Sequence, residues 1–566
     1  MLLKEIIRIV PAQFIPALRL NILFTVFNLT LDFISIILTI PVFIGLFHFE
    51  TSNPTGFFFN LLSKTKEYQL ELIIALVLFY IIKNFISNRT TRFQSHYYYK
   101  LSNHLSLSLL HNFFEKPWLE IKAEKKSALT KDIIFIPNNY ALYVLSSLVL
   151  LISDTILLLL ILSCAFFIHP LATLFLLIIT LMVIAILYYY DRGKIKTINH
   201  SISPKYNQNF NHLMNALNGY VEIKTNQIEH FFLEKFSASN LSLNSIYAEL
   251  NTARLVKPKY TETFLIVLIS CLFLVSRFLL GNNPISLIFI SFVFASAIKI
   301  IPSINRILTS LTNLKSNLYT IDILKNDAKP LERQTLSPEA IPFNHTIELR
   351  NISFQYSSTK PLLHNISLTI NKGEIVGIMG DSGNGKSTLV SLITQMMPAG
   401  KGHIICDGQI IDKSNRNGFL QHLAYVPQSP FILEGTILEN LILNDHNIDQ
   451  DLIESYLQLF DLQDTINQLP DKLNTFIGSN GYHLSGGQIQ RIAIIRALIR
   501  NRSFLILDEA LNQLDHTLKF KIMESLKDIA QKRGITVLVV SHYKNELEQF
   551  CDTIYELSNS ALIQIK

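Results

Sequence analysis

The sequence predicts an all-α domain of six membrane spans followed by an α/β domain built around a phosphate-binding loop. Three observations predict it. Long apolar runs fill the first half of the chain. In the second half a short apolar strand leads into a glycine-rich loop, and a later one ends in the paired carboxylates Asp508 and Glu509. Apolar helices and β-branched strands segregate by half, so two domains of different class share one chain.

At 566 residues the chain exceeds what one hydrophobic core organises. Only 16% of residues are charged and the mean hydropathy is +0.31, values that point to a membrane. Runs near the ~20 residues needed to cross a ~30 Å hydrocarbon core lie at 22 to 49, 71 to 88, 140 to 168, 170 to 190, 263 to 280 and 284 to 303. The amphipathic start, with Lys4, Arg8 and Arg19, lacks a signal-peptide cleavage pattern and is expected to lie along the interface. The net charge of +6 is accounted for by topology: the stretches 89 to 135 and 191 to 260 are rich in Lys and Arg, whereas 50 to 70 carries only Lys64 and Lys66. Both basic stretches are therefore cytoplasmic, and nucleic acid is not an expected partner. The four cysteines, Cys164, Cys271, Cys406 and Cys551, show no metal-ligand spacing and are expected to pack.

Helix-compatible sequence without Pro or Gly runs on from Glu71 to Phe114, roughly 60 Å at 1.5 Å per residue. The stretch 191 to 260 is similarly long, with an irregularity expected at His200 to Pro204. Two helical hairpins should thus project into the cytoplasm, with tips at 117 to 127 and 219 to 227 suited to touch a cytoplasmic domain. The expected division is a membrane domain at 1 to 325, a linker at 326 to 345 broken by Pro330, Pro338 and Pro342, and an α/β domain at 346 to 566 on a largely parallel sheet.

The chemistry begins at Gly380, Asp381, Ser382, Gly383, Asn384, Gly385, Lys386 and Ser387, with Thr388 next in the helix they open. Glycines let backbone N–H groups face phosphate oxygens at a helix N-terminus; Lys386 is placed for the β and γ phosphates and Ser387 for Mg²⁺. The strand Phe504 to Leu507 brings Asp508 and Glu509 to the ligand-binding edge of the sheet. Asp508 suits Mg²⁺, and Glu509 suits a general base for water attacking the γ phosphate. Between these motifs, Leu484, Ser485, Gly486, Gly487 and Gln488 open a helix in an order that resembles an ATP-binding cassette, a resemblance that implies a second phosphate-facing surface, usable only when another cassette docks.

This ordering resembles an ATP-binding cassette over 346 to 566, and nearly the whole chain resembles an ABC exporter half-transporter. The resemblance implies ATP and Mg²⁺ as ligands and a second half-transporter as partner, most simply a second copy of the chain. It also implies a multi-pass protein of the cytoplasmic cell membrane with its nucleotide-binding domain in the cytoplasm. It assigns adenine stacking to Tyr356 of Ser353-Phe354-Gln355-Tyr356, Mg²⁺ and water sensing to Gln428, γ-phosphate contact to His542, and a role across the dimer interface to Asp515. Lys386, Gln428, Glu509 and His542 form the implied catalytic set, with Ser387, Gln428 and Asp508 at the metal. The chain departs from the pattern at Asn512-Gln513-Leu514-Asp515 and at Gly478-Ser479-Asn480-Gly481, which puts in doubt how hydrolysis is relayed to the membrane domain.

Asp32 and Asp154 lie at lipid depth, each costing about 2.5 to 3.5 kcal/mol if central and unpaired. Two readings stand side by side: a polar cavity that contacts substrate, and hydrogen bonds that fix helix packing. Lys299 and Arg306 flank Pro302 as a basic pair suited either to phosphate or to anchoring at the cytoplasmic surface. With Glu222-Ile223-Lys224 and the external apolar segment Gly56-Phe57-Phe58-Phe59-Asn60-Leu61-Leu62, these features resemble the bacterial lipid-linked oligosaccharide flippases. The alternatives are export of a peptide or small amphiphile, within which only leader-cleaving bacteriocin export is not expected for want of a peptidase-like stretch, and a non-transporting regulator switched by ATP. Six spans exclude a soluble cassette ATPase.

Overall fold

Six long helices account for most of the N-terminal half of the computed structural model, which describes residues 2–46, 69–116, 118–123, 126–279, 284–327, 341–356, 361–445, 447–478 and 481–566. They are α1 (Ile15–Leu46), α2 (Gln69–Glu115), α3 (Ser146–Ile168), α4 (Pro170–Asn218), α5 (Glu229–Leu279) and α6 (Pro284–Asn317). By Cα proximity the chain divides into residues 1–116 with 120–332, and residues 117–119 with 333–566. Four of the described helical stretches are long and apolar enough to cross a membrane: Ala12–Thr39, Leu70–Glu115, Ala128–Ile168 and Phe292–Asn317. The expected spans at 170 to 190 and 263 to 280 fall within α4 and α5, whose side chains there are only partly described.

Local chemistry sets the helix limits. α2 runs for 47 residues, about 70 Å, without a Gly or Pro. α4 starts where His169 accepts from the Ala172 N–H and Pro170 occupies the first turn, whose N–H groups need no helical partner. At the irregularity expected at His200 to Pro204, α4 continues through Pro204. Proline removes one N–H there, and a helix of 49 residues keeps the bonds of the turns on both sides. α3 is entered through two wide π-helical turns, Lys131–Phe135 and Tyr140–Leu145, on either side of Pro137. The expected hairpin tips carry the short helices Trp118–Ala123 and Tyr220–Asn226.

The N-terminal helix Leu2–Ile9 packs on the helical unit through Ile6. Ile6 is fully buried among Leu101, Leu105, Tyr140, Ile321 and Leu324, and its carbonyl accepts from the Tyr140 hydroxyl at 2.6 Å. Leu3 on the same helix stays 47% exposed.

The described residues of the α/β unit form three sheets. Strands β1 (Thr346–Phe354), β2 (Leu363–Asn371), β4 (Lys401–Cys406) and β5 (Gln409–Ile410) form an antiparallel sheet in the order β2-β1-β4-β5, a feature the sequence reading did not resolve. The main sheet has the order β12-β11-β3-β10-β9-β6, with β3 (Ile375–Met379), β6 (Leu423–Val426), β9 (Phe504–Asp508), β10 (Thr536–Val540) and β11 (Thr553–Ser558) parallel. β12 (Ala561–Gln564) closes one edge antiparallel; β7 (Gly435–Thr436) and β8 (Phe476–Ile477) make a small separate pair. β9 and β10 are buried along their whole length, as continuous apolar strands covered on both faces must be. Apolar clusters lie on either side, one including Leu505, Ile494 and Leu526, the other Ile506, Leu389 and Phe419. The carboxyl ends of β3, β9, β10 and β6 therefore meet along one edge, where ligands bind in such sheets.

Candidate nucleotide site and membrane charge cluster

The phosphate loop links β3 to the helix α7 (Lys386–Ile393). Gly380 has φ 156°, and a Cβ there would sit 2.6 Å from the Leu557 carbonyl oxygen, so only glycine lets the loop pass β11. Gly385 caps α7 at φ 98°, turning the first helical N–H groups towards the loop. Asp381, Ser382, Gly383 and the Ser387 side chain are exposed, while Asn384 donates to the Leu557 carbonyl at 3.1 Å and anchors the loop. Buried Lys386 curls back, its Nζ donating to the Gly380 and Asp381 carbonyls at 2.6 and 3.1 Å. Burial pushes this ammonium below its ordinary pKa against the pull of Glu509, Asp381 and Asp508.

Asp508 and Glu509 emerge together from β9 into different surroundings. Asp508 is 6% exposed and accepts from the Tyr425 hydroxyl at 3.1 Å; burial raises its pKa, the Tyr425 bond opposing. Glu509 turns out of the strand at φ 51°, its N–H donating to the Val540 carbonyl. One carboxylate oxygen lies 2.5 Å from His542 Nε2; the other accepts from Gln428 Nε2 at 2.8 Å and Asn512 Nδ2 at 3.1 Å. His542 Nδ1 lies 3.3 Å from Lys386 Nζ and 3.1 Å from the Gly380 carbonyl oxygen, and the ring tautomer decides which of the two it bonds. A chain of close contacts thus runs from the phosphate-loop lysine through His542 to Glu509, bringing together four residues expected from separate motifs.

Asn512 was legible only as a departure from the cassette pattern. It lies one turn beyond Glu509, its N–H bonded to the Glu509 carbonyl at 3.2 Å, which is why its side chain reaches back to the carboxylate. Replacing Asn512 by Ala removes one of three bonds holding that carboxylate. kcat for ATP should fall about tenfold, with KM kept within about twofold, as steady-state kinetics would read.

Gln513 meets the second motif. A Cβ on Gly486 would lie 2.0 Å from Gln513 Oε1, and the Gln513 N–H donates to Gln490 at 3.2 Å. The loop Asn512–Asp515 therefore touches Glu509 at one end and the signature helix α8 (Gly486–Ile499) next to it. Ser485 caps α8, accepting from the Gln488 N–H while the Gln488 side chain accepts from the Ser485 N–H. Gly486 and Gly487 form its first turn. Asp515 accepts from Leu518 N–H and the Thr517 hydroxyl, capping the helix His516–Arg533. Thr436 and Glu439 make another capping box, and buried Asn440 bonds Leu433 and Thr436, so this sequence continuation holds local structure. Ser479 and Asn480 lie outside the described residues.

Tyr356 lies two residues beyond the end of β1. Its hydroxyl is 3.1 Å from the Thr388 hydroxyl, its ring meets Phe354 edge-on, and it is 53% exposed, as a stacking platform beside the loop requires. Ser387, Gln428 and Asp508 supply hydroxyl, amide and carboxylate oxygens, the hard donors that Mg²⁺ takes with substrate phosphates. Among the described residues no cluster of three His, Cys, Asp or Glu exists to hold a metal without such help. Cys406 and Cys551 are buried free thiols and Cys164 is half-buried; the Cys271 side chain lies outside the described residues.

In the helical unit the acids and bases read separately in sequence are partners. Lys299 Nζ lies 2.6 Å from Asp32 Oδ1, and Lys83 of α2 reaches the same oxygen. Arg306 holds Asp154 bidentately, Nη2 to Oδ1 at 2.5 Å and Nε to Oδ2 at 2.9 Å, and also donates to Ser303 at 3.1 Å. Lys299 and Arg306, expected as a basic pair suited to phosphate or to anchoring, each meet a carboxylate on another helix, since an isolated charge at this depth costs several kcal/mol. Lys83 was missed, although a lysine inside an apolar run signals a buried partner. The external Phe57–Phe59 segment lies outside the described residues.

Residues 363–512 match the ABC transporter family. The chain is 36% identical over 220 residues to ABC transporter B family member 3 of Dictyostelium discoideum, 35% over 224 residues to the sophorolipid transporter of Starmerella bombicola, and 34% over 249 residues to the ABC multidrug transporter MDR2 of Trichophyton interdigitale. These alignments take in 38%, 38% and 43% of the chain and span 15%, 17% and 18% of the relatives' lengths. A bacterial Atm1-family ABC exporter solved with ATP bound superimposes with TM-score 0.81 at 18% identity, covering 96% of this chain and 95% of that one. The chain therefore carries an ABC transporter domain and has the half-transporter fold of an Atm1-family ABC exporter.

Proposed function

We propose that this chain is one half of an ATP-driven exporter that moves an amphipathic substrate out of the cytoplasmic leaflet of the cell membrane. The observation that carries the reading is the convergence of Lys386, Asp508, Gln428 and His542 around Glu509. ATP is the substrate of this site. Lys386 exchanges the Gly380 and Asp381 carbonyls for β and γ phosphate oxygens, the exposed loop N–H groups cradle the phosphates, and Tyr356 stacks on the adenine. Glu509, oriented by Gln428, Asn512 and His542, accepts a proton from the attacking water, and His542 faces the γ phosphate. When bound, Mg²⁺ adds charge neutralisation on the phosphates, with Asp508, Ser387 and Gln428 as its protein donors. Replacing Lys386 by Ala should weaken ATP binding at least about tenfold in a nucleotide titration.

The partner is a second half-transporter, most simply a second copy, because every implied catalytic side chain is present here and Ser485–Gln488 lies apart from the phosphate loop. Six spans fix the helical unit in the membrane, and exposed Ile74, Val77, Leu78, Ile81, Ile82 and Phe85 on α2 support its contact with lipid or with that partner. The substrate class is an amphiphile, in keeping with relatives named as sophorolipid and multidrug transporters. The narrower lipid-linked oligosaccharide reading loses its free basic pair to Asp32 and Asp154. Translocation in proteoliposomes containing only this chain tests both: labelled acyl glycolipid in one arm, labelled polyprenyl-pyrophosphate oligosaccharide in the other, Glu509→Gln as control. ATP-dependent movement of either supports export. Robust ATP hydrolysis with movement of neither, nor of a labelled peptide, favours an ATP-switched regulator.

A further inference from the structure

One short segment of β6 fastens both acids at the end of β9. The two strands run parallel, with Leu423 opposite Phe504 and Tyr425 opposite Ile506. Side chains alternate along a strand, so Leu423 and Tyr425 lie on the face that carries Phe504, Ile506 and Asp508. Tyr425, one step short of Asp508 on that face, donates its phenolic proton to Asp508 Oδ2 at 3.1 Å. Three residues further on, Gln428 Nε2 donates to Glu509 Oε2 at 2.8 Å. The division is selective: Tyr425 serves the acid suited to the metal and Gln428 the acid suited to base catalysis.

Asp508 needs such a partner. Its χ2 torsion joins sp³ and sp² carbons and has no narrow well of its own. Among the described residues the Tyr425 hydroxyl is the one hydrogen-bond donor to this side chain, whereas Glu509 is held by His542, Gln428 and Asn512. With Oδ2 tied to a phenol carried on a strand, Oδ1 is the oxygen left to face a cation. Tyr425 is 42% exposed, so burial of its ring explains little of its place there.

We propose that Tyr425 is a positioning residue for the divalent cation that accompanies ATP, a role that rests on the ATP-hydrolysing reading of this site. It acts through Asp508, fixing the carboxylate plane, and touches neither the phosphates nor the attacking water. Tyr425 and Gln428 thus give β6 separate holds on metal binding and on base catalysis.

The full chain in detergent is titrated with a non-hydrolysable ATP analogue, once in EDTA and once in saturating Mg²⁺, and the ratio of the two affinities reads what the cation contributes. Tyr425→Phe keeps the half-exposed ring and removes only the hydroxyl, so the variant folds, as thermal unfolding in EDTA checks. The gain conferred by Mg²⁺ should shrink about tenfold, the usual cost of removing an outer-shell partner of a metal ligand. The free Mg²⁺ that half-saturates ATP turnover should rise by about the same factor in Tyr425→Phe and should not move in Asn512→Ala, which loosens Glu509 alone. A Mg²⁺ gain equal in the two chains overturns the proposal and leaves Tyr425 a packing residue. A loss of affinity as large in EDTA as in Mg²⁺ overturns it too, making Tyr425 a contact of the nucleotide. If the unaltered chain binds the analogue in neither buffer, the ATP-site reading itself fails and Tyr425 has no cation to position.

Discussion

Glu509→Gln should lower ATP turnover by about 10²- to 10⁴-fold, the range supplied by a positioned general base, while leaving ATP binding intact. The size of the effect follows from the bonds around the carboxylate. Glu509 accepts from His542, Gln428 and Asn512, so its orientation is set on both oxygens before any water arrives. Glutamine keeps the shape but replaces one acceptor by an amide NH₂, which faces N–H donors on either side; one or two of the three bonds is lost, and the base with them. Phosphate contacts through Lys386 and the loop N–H groups are untouched. ATP should therefore accumulate uncleaved, and if two copies sandwich it between phosphate loop and signature helix, the closed pair should accumulate too. Single-turnover hydrolysis and a nucleotide-binding titration on the same preparation check both halves; turnover within about threefold of the unaltered chain would remove Glu509 from the role of base.

The nucleotide site was legible because its chemistry is written in short contiguous motifs. Gly380 to Ser387 must be a loop at the end of a strand, and Asp508-Glu509 must sit at the same sheet edge, since parallel strands carry their carboxyl ends together. Long helices were equally legible, α2 above all, because nothing in Gln69–Glu115 breaks one. What sequence withheld was pairing. Asp32 and Lys299 are 267 residues apart and Asp154 and Arg306 are 152 apart, so each was visible as an anomalous charge and none as half of a bond. Lys83 escaped notice because one lysine barely lowers the hydropathy of its run. Asn512 was visible as a departure but had no role until the turn after Glu509 folded its amide onto the carboxylate. Pro204 stood out as an irregular position, and a helix of 49 residues carries it.

Arg306→Leu should destabilise the helical unit far more than Asp154→Asn, although both remove the same pair. The asymmetry comes from burial. Asp154 is 2% exposed at its side chain and Arg306 is 45% exposed, so losing arginine strands an enclosed carboxylate, whereas Asp154→Asn leaves the guanidinium its Ser303 bond and an amide oxygen to donate to. Removing one partner of a buried pair costs about 3 to 5 kcal/mol, and a lone charge at membrane depth costs a similar amount, so Arg306→Leu should lie in that range and Asp154→Asn near 1 to 2 kcal/mol. The double replacement Asp154→Leu/Arg306→Leu removes both desolvation terms and should recover most of the loss. Thermal unfolding of the three variants in one detergent reads the order directly. Equal losses in both single variants would mean that the bidentate contact itself, rather than the stranded carboxylate, sets the energy. A double variant no better than Arg306→Leu would mean that α3 and α6 depend on this pair for their register, because in lipid, where apolar side chains gain little by leaving the solvent, a charge pair can be what selects one packing of two helices over another.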